Sequence, residues 1–249
     1  MAVVSGDPLM NRLGNPLRVL VLGASSGIGA STAKALVDSG AQVVGAARRE
    51  TRVAELEGVT AVACDVSLPE DCDRVVATAV ERLGGLDALV YAAGTTRITP
   101  LDTTGPERWS EIFGTNLFGA AMVTRAAMPH LLSDASDNRA VYLTSDSVEM
   151  PYPGLVAYGA SKAALRAYCQ GLAGEFAALR VTEIMVGPTI DTEMGSHFDE
   201  TIAGWLDRWT DEGYIRFGYQ LSADVAAVIV DTLRSKEPET RVTAAAELA

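Results

Sequence analysis

The apolar run Val19-Leu20-Val21-Leu22 enters Gly23-Ala24-Ser25-Ser26-Gly27-Ile28-Gly29 and leaves through Ser31-Thr32-Ala33-Lys34-Ala35-Leu36-Val37. Few folds accommodate that succession. Consecutive apolar residues bounded by glycine predict a buried strand, and the alanine-rich stretch predicts a helix beyond a sharp turn. Glycines let a backbone approach a pyrophosphate closely, and the start of the helix offers free N–H groups to an anion. The spacing is Gly-x-x-x-Gly-x-Gly, distinct from the Gly-x-Gly-x-x-Gly dinucleotide fingerprint. A plain tight turn would use glycine as well, but strand and helix on either side favour the nucleotide reading.

The same alternation continues along the chain without a long linker or internal repeat. Strands are predicted at 18–22, 42–46, 60–63, 88–91, 140–144 and 181–185. Helices are predicted near 27–39, 69–83, 106–132, 155–179 and 223–234. This order predicts an α/β fold, a doubly wound parallel sheet with helices on both faces, whose ligands sit at the carboxyl ends of the strands. The 249 residues suit a single domain spanning 15–249. Residues 1–14, with Gly, Pro and Asn, are expected to be a loosely held extension.

Composition narrows the function. A net charge of −12 argues against a nucleic-acid partner. No segment approaches about twenty apolar residues, so no membrane span is expected, and no signal peptide is read at the N-terminus. Cys64, Cys72 and Cys169 are widely spaced and odd in number, as expected of free thiols in a reducing cytoplasm. His130 and His197 stand alone, and no metal site is expected.

Chemistry first shows in Tyr158-Gly159-Ala160-Ser161-Lys162. On a helix, four-residue spacing stacks phenol and ammonium on one face. The ammonium favours the phenolate, lowering a pKa that is otherwise about 10. A tyrosine brought toward neutrality can exchange a proton at a carbonyl or alcohol oxygen. As an isolated pair, the two would more often be a solvated helix surface.

With the glycine turn, this pair resembles the short-chain dehydrogenase/reductase family, and the match runs along most of the chain. Asn116 fits the family's helix asparagine, and Ser145 stands thirteen residues before Tyr158, the family's usual spacing. Asp65-Val66 matches the adenine-side pair, and Ala93-Gly94 the end of the Asn-Asn-Ala-Gly motif. Leu22, Tyr91 and Ala92 depart from the family pattern, Gly187-Pro188 reverses its Pro-Gly, and the C-terminal stretch from Arg241 lacks its glycine-rich ending.

The resemblance implies a Rossmann fold and hydride transfer between a nicotinamide cofactor and a carbonyl or secondary alcohol, in the direction of NADPH-linked ketone reduction. Tyr158 would exchange the proton, Ser145 would hydrogen-bond the substrate oxygen, and Lys162 would lower the Tyr158 pKa and hold the ribose. Asn116 would anchor a water. Gly23, Ser25, Ser26, Gly27, Ile28 and Gly29 would line the pyrophosphate, with Pro188 and Thr192 near the nicotinamide.

Ala47 stands at the end of the second predicted strand, just past residue 46, where NAD readers place a carboxylate, and Arg48 and Arg49 follow. This expectation ranks NADP(H) ahead of NAD(H), because a guanidinium can hold the 2′-phosphate. Residues 193–220 would form a substrate lid rich in aromatics, suiting an apolar, fairly bulky substrate. Thr95, Ser145, Tyr152, Met194 and Trp205 are the candidate substrate contacts. The family's habit of pairing through helices here at 106–132 and 155–179 implies a homotetramer or homodimer. Two alternatives are weaker. A non-catalytic NADP-binding sensor has no need of the intact Asn-Ser-Tyr-Lys set, and a sugar-nucleotide epimerase needs a larger C-terminal domain.

Overall fold

The computed structural model describes residues 7–133, 137–193, 200–237 and 240–246. Seven strands form one sheet: β1 (Arg18–Leu22), β2 (Gln42–Ala47), β3 (Val59–Ala63), β4 (Ala88–Tyr91), β5 (Arg139–Ser145), β6 (Arg180–Val186) and β7 (Arg241–Ala244). Their spatial order is β3-β2-β1-β4-β5-β6-β7, and every pairing is parallel. The chain therefore reverses its direction of travel between β1 and β4, which opens a crevice above their carboxyl ends.

Side-chain alternation explains why both faces need helices. Leu20, Leu22, Leu89, Tyr91, Ala140 and Tyr142 belong to one core. The residues between them, Val19, Val21, Ala88, Val90, Val141 and Leu143, belong to the other. The first core is covered by α3 (Pro69–Leu83), α5 (Gly119–Leu131) and α6 (Val156–Glu175). The second is covered by α1 (Gly27–Asp38) and α8 (Ser222–Arg234). Strands apolar on both faces leave no solvated side, as a parallel sheet requires.

Four features differ from the sequence-based expectation. The predicted helix 106–132 is interrupted: α4 (Pro106–Phe113) passes through a π-helical turn, Gly114–Phe118, before α5 begins. A short helix, α2 (Glu50–Ala54), follows β2, and α7 (Glu200–Asp211) occupies the expected lid. The stretch from Arg241 supplies β7, which extends the sheet beyond β6. Finally, the extension expected to be loose is anchored from Leu9 onward. Leu9 is buried, its N–H donates to the Ser39 carbonyl at 2.7 Å, and its carbonyl accepts from Leu17. Asn11 Nδ2 donates at 3.2 Å to Asp87, the carboxylate that also holds Arg18 at 2.8 Å. Long-range hydrogen bonds thus fix what local composition predicts to be free.

Candidate active site

A cavity of about 1080 Å³ opens over the carboxyl ends of the central strands. Its floor is the turn between β1 and α1. Gly23 has φ +85°, and a Cβ on it would lie 2.7 Å from the Ala93 backbone nitrogen. A Cβ on Gly29 would lie 2.2 Å from the Gly23 carbonyl oxygen. Only glycine lets these two backbones close. Ser25, Ser26, Gly27 and Ile28 also face the cavity. Ser26 precedes α1 in extended conformation and its side chain does not cap the helix, so the first-turn N–H groups keep their affinity for an anion.

At the opposite end, β5 delivers Ser145 as its last residue, and α6 delivers Tyr158 and Lys162 one turn apart. All three line the cavity. Lys162 is buried, and its Nζ donates to the Leu143 carbonyl at 2.7 Å while standing 5.8 Å from the centre of the Tyr158 ring. Burial pushes the ammonium down to about 8. The expected depression of the Tyr158 phenol is not what the geometry gives. Burial pushes that phenol up to about 12, opposed by a hydrogen bond with Ser145 and reinforced by the charge of Asp146. The lysine donates to a main-chain carbonyl, and burial sets the direction of the phenol's shift.

The Asn116 side chain has protein partners on both its polar atoms. It is buried inside the π-helical turn and its amide is spent on protein. Its Oδ1 accepts from the Thr95 N–H at 2.8 Å, and its Nδ2 donates to the Thr95 carbonyl at 3.0 Å and to Ser161 at 2.9 Å. The side chain braces the loop after β4 against α6, where it serves the site through Thr95, a cavity residue. A π-turn at such a position is a common device for aiming one side chain.

The β2 end is built from exposed charge. Ala47 is buried, so no carboxylate stands at the strand's end. Arg48 lies exposed on the cavity rim. Arg49, rather than Arg48, reaches across the glycine turn, donating to the hydroxyls of Ser25 and Ser26 at 3.3 Å each. Its guanidinium and that of Arg52 both pair with Glu193, and they hold that carboxyl down at about 2. Asp65 and Val66 line the adjoining wall, where Asp65 Oδ1 accepts from the N–H and hydroxyl of Ser67. Ala93 and Gly94 continue it.

Beyond β6, Pro188 and Thr192 border the cavity, with the Thr192 side chain packed over Gly27. The reversed Gly187-Pro188 has a steric reason: a Cβ on Gly187 would lie 2.9 Å from the Ala245 side chain, just past β7. Trp205, Trp209 and Tyr152 close the chamber. Trp209 Nε1 donates to the Pro153 carbonyl at 2.9 Å, and its ring meets Tyr152 edge-on at 5.1 Å. Met194 lies outside the described residues. Sequence reasoning missed Asp146, which directly follows Ser145 and faces the same chamber. Burial raises its pKa against hydrogen bonds from Tyr152, Ser145 and the Ser147 N–H. Its one available signal was an acidic residue at a strand's carboxyl end.

The model of the short chain dehydrogenase family matches residues 18–203. The chain is 39% identical over 171 residues to 11-beta-hydroxysteroid dehydrogenase A of Sesamum indicum, covering 64% of this chain and 48% of that one. An uncharacterized oxidoreductase of Staphylococcus epidermidis is 33% identical over 190 residues, covering 73% and 82%. Among solved structures, a short chain dehydrogenase from Burkholderia cenocepacia in complex with NADP is similar at 30% identity and a TM-score of 0.77, covering 94% and 97%. A 3-ketoacyl-(acyl-carrier-protein) reductase from Brucella melitensis complexed with NADH is 25% identical with a TM-score of 0.77, covering 93% and 97%.

Proposed function

Because the chain belongs to the short-chain dehydrogenase family, we propose that it reduces a ketone to a secondary alcohol with NADP(H), NAD(H) being the weaker alternative. Membership makes it an oxidoreductase acting on CH–OH or carbonyl groups. One observation carries the finer reading: Ser145, Tyr158 and Lys162 border the same cavity as the glycine turn. The turn fits a dinucleotide, since Gly23 and Gly29 let the backbone close without a Cβ and the first-turn N–H groups of α1 stay uncapped for an anion.

When bound, the nicotinamide cofactor supplies or accepts the hydride. Gly23, Gly27, Gly29, Ser25, Ser26 and Ile28 would hold its pyrophosphate. Asp65, Val66, Ala93 and Gly94 would border the adenosine, and Pro188 and Thr192 the carboxamide. Lys162 would hold the ribose. Tyr158 gives its proton to the substrate oxygen, and Ser145 orients that oxygen by donating to it. Asn116 acts through the Thr95 backbone. Bringing the Tyr158 phenol from about 12 to near neutrality requires positive charge beside it, so its activity as an acid–base group depends on the loaded enzyme.

NADP(H) preference is supported by Ala47 in place of a carboxylate and by Arg49 over the two serine hydroxyls, with Arg48 on the rim. The Rossmann domain would span 15–249, with 193–220 acting as the lid over an apolar, fairly bulky small-molecule substrate. Exposed Phe118 and the small residues of α6 suit pairing with a second copy, as a homotetramer or homodimer. Three buried free thiols suit the cytoplasm. No helix among the described residues is long and apolar enough to cross a membrane. Ketones and alcohols assayed with NADPH/NADP and NADH/NAD by absorbance of the reduced nicotinamide test the reading. Faster reduction with NADPH is expected, and absence of turnover across a broad panel would refute it.

A further inference from the structure

Asp146 is a carboxylate at the reaction centre that hydride and proton transfer do not use. It is 8% exposed and borders the chamber beside Ser145 and Tyr152. Its Oδ2 accepts the Tyr152 hydroxyl at 2.8 Å, and its Oδ1 accepts the Ser145 hydroxyl at 3.1 Å. The Ser147 and Asp146 N–H groups assist, and no cationic side chain among the described residues forms an ion pair with the carboxylate. A buried carboxylate without a counter-charge is costly, and a protein keeps one where something else supplies the missing donor. A carboxylate has about four acceptor positions, and the one taken by the Ser145 hydroxyl is freed when that hydroxyl turns to a substrate oxygen.

We propose that Asp146 selects the substrate, by accepting a hydrogen bond from a hydroxyl or ammonium group on the carbon next to the reacting one. The preferred substrates are then α-hydroxy or α-amino ketones and the corresponding diols or amino alcohols, whereas a carboxylate at that place is rejected. The proposal rests on the oxidoreductase reading of the same cavity.

The geometry suits neighbouring carbons. Ser145 Oγ stands 3.1 Å from Asp146 Oδ1, and it would donate to the reacting oxygen at about 2.8 Å. The carboxylate and that oxygen therefore lie within about 6 Å of each other, a span that a donor on the adjacent carbon bridges with one ordinary hydrogen bond. As the substrate enters, the Ser145 hydroxyl turns from Asp146 to the reacting oxygen, and the substrate's own donor replaces it on the carboxylate. An ammonium placed there would also offset the charge that now pushes Tyr158 upward.

Four phenyl ketones of similar size test this: α-aminoacetophenone, α-hydroxyacetophenone, propiophenone and phenylglyoxylate. Their affinities for the enzyme saturated with NADP⁺, which cannot reduce them, are measured by calorimetry, and their kcat/KM with NADPH is measured separately. The amino and hydroxy ketones should bind at least about tenfold more tightly than propiophenone, the size of one charge-assisted hydrogen bond, with phenylglyoxylate weakest. Asp146→Asn should remove the ammonium's advantage and improve phenylglyoxylate, leaving propiophenone nearly unchanged. Tyr152→Phe, which keeps the charge, should preserve the ranking.

Equal affinities for the four ketones, or binding of none, would overturn the proposal. So would an Asp146→Asn variant that weakens all four alike, which would make Asp146 a positioning residue for Ser145. The expected ranking in binding without turnover would instead sink the hydride-transfer reading and leave the selection standing.

Discussion

At one end of the cavity Ser145, Lys162 and Asn116 are buried and held by main-chain partners. At the other end Arg49, Arg52 and Glu193 keep 40–47% of their side chains in water and hold one another by charge. Salt and solvent screen the second group far more than the first. Substitutions at the buried end should thus change rate or stability sharply and insensitively to salt. Those at the exposed end should change cofactor choice by modest, salt-dependent factors.

The hardest test of that contrast is Tyr158→Phe. Removing only the transferable proton should cut kcat by about 10²–10⁴-fold or more and leave dinucleotide affinity nearly intact, as steady-state kinetics and calorimetry would show. Lys162→Ala should damage both. Retention of most activity by Tyr158→Phe would break the assignment of the buried end as the reaction centre.

Asn116→Ala should destabilise the fold by about 1–3 kcal/mol, because it removes three hydrogen bonds that tie half-buried Thr95 and buried Ser161 to the π-turn. Chemical denaturation measures this. Loss of activity without loss of stability would point back to a direct role for the amide.

Lys162 gives a pH signature. Its folded pKa of about 8 lies below its ordinary 10.5, so between those values the unfolded chain binds the extra proton. The Lys162 contribution to stability should therefore rise as pH climbs through that window and be lost as pH falls through about 8, while the buried Cys64, Cys72 and Cys169 thiols, whose pKa values burial raises, work against it above about 9. The difference in stability between wild type and Lys162→Met, read by denaturation across the window, should shift toward the wild type as pH climbs.

At the exposed end, Arg49→Ala should raise the NADPH dissociation constant about tenfold, the loss of a charge-assisted contact, while NADH binding barely changes. Arg48→Ala should do less, and Ala47→Asp should shift preference toward NADH. A larger effect from Arg48 would mean that the guanidinium over the serines is not the one that reads the phosphate.

The smallest effect belongs to Glu193→Gln. It should tighten NADPH severalfold at low salt, by releasing Arg49 and Arg52, and the gain should vanish as salt rises. A gain that survives high salt would erase the distinction between the two ends.

Local pattern was enough to place the six strands from β1 to β6 and the helix bearing Tyr158 and Lys162, because runs of apolar residues and four-residue spacing express themselves without distant partners. What escaped depends on distance. The segment from Leu9 to Asn11 is held by Ser39, Leu17 and Asp87, and β7 is a strand because β6 offers it an edge. Tyr158 carries a high pKa because the folded chain buries it beside Asp146. The role of Asn116 turns on a π-turn that no periodicity announces. Asp146 sits in plain view beside Ser145, but only burial and the Tyr152 hydroxyl distinguish it from an ordinary loop acid.

The joining of β7 to β6 has a consequence in time. Parallel neighbours cannot meet through a hairpin, so β7 reaches its place only after the chain has laid down α7 and α8. Until then β6, buried over six of its seven residues in the finished fold, presents a bare apolar edge of unpaired N–H and carbonyl groups. Pairings of such sequence separation form slowly. A folding chain therefore passes through a stage at which another chain's strand can dock where β7 belongs, and crowding during synthesis would be most dangerous to it then.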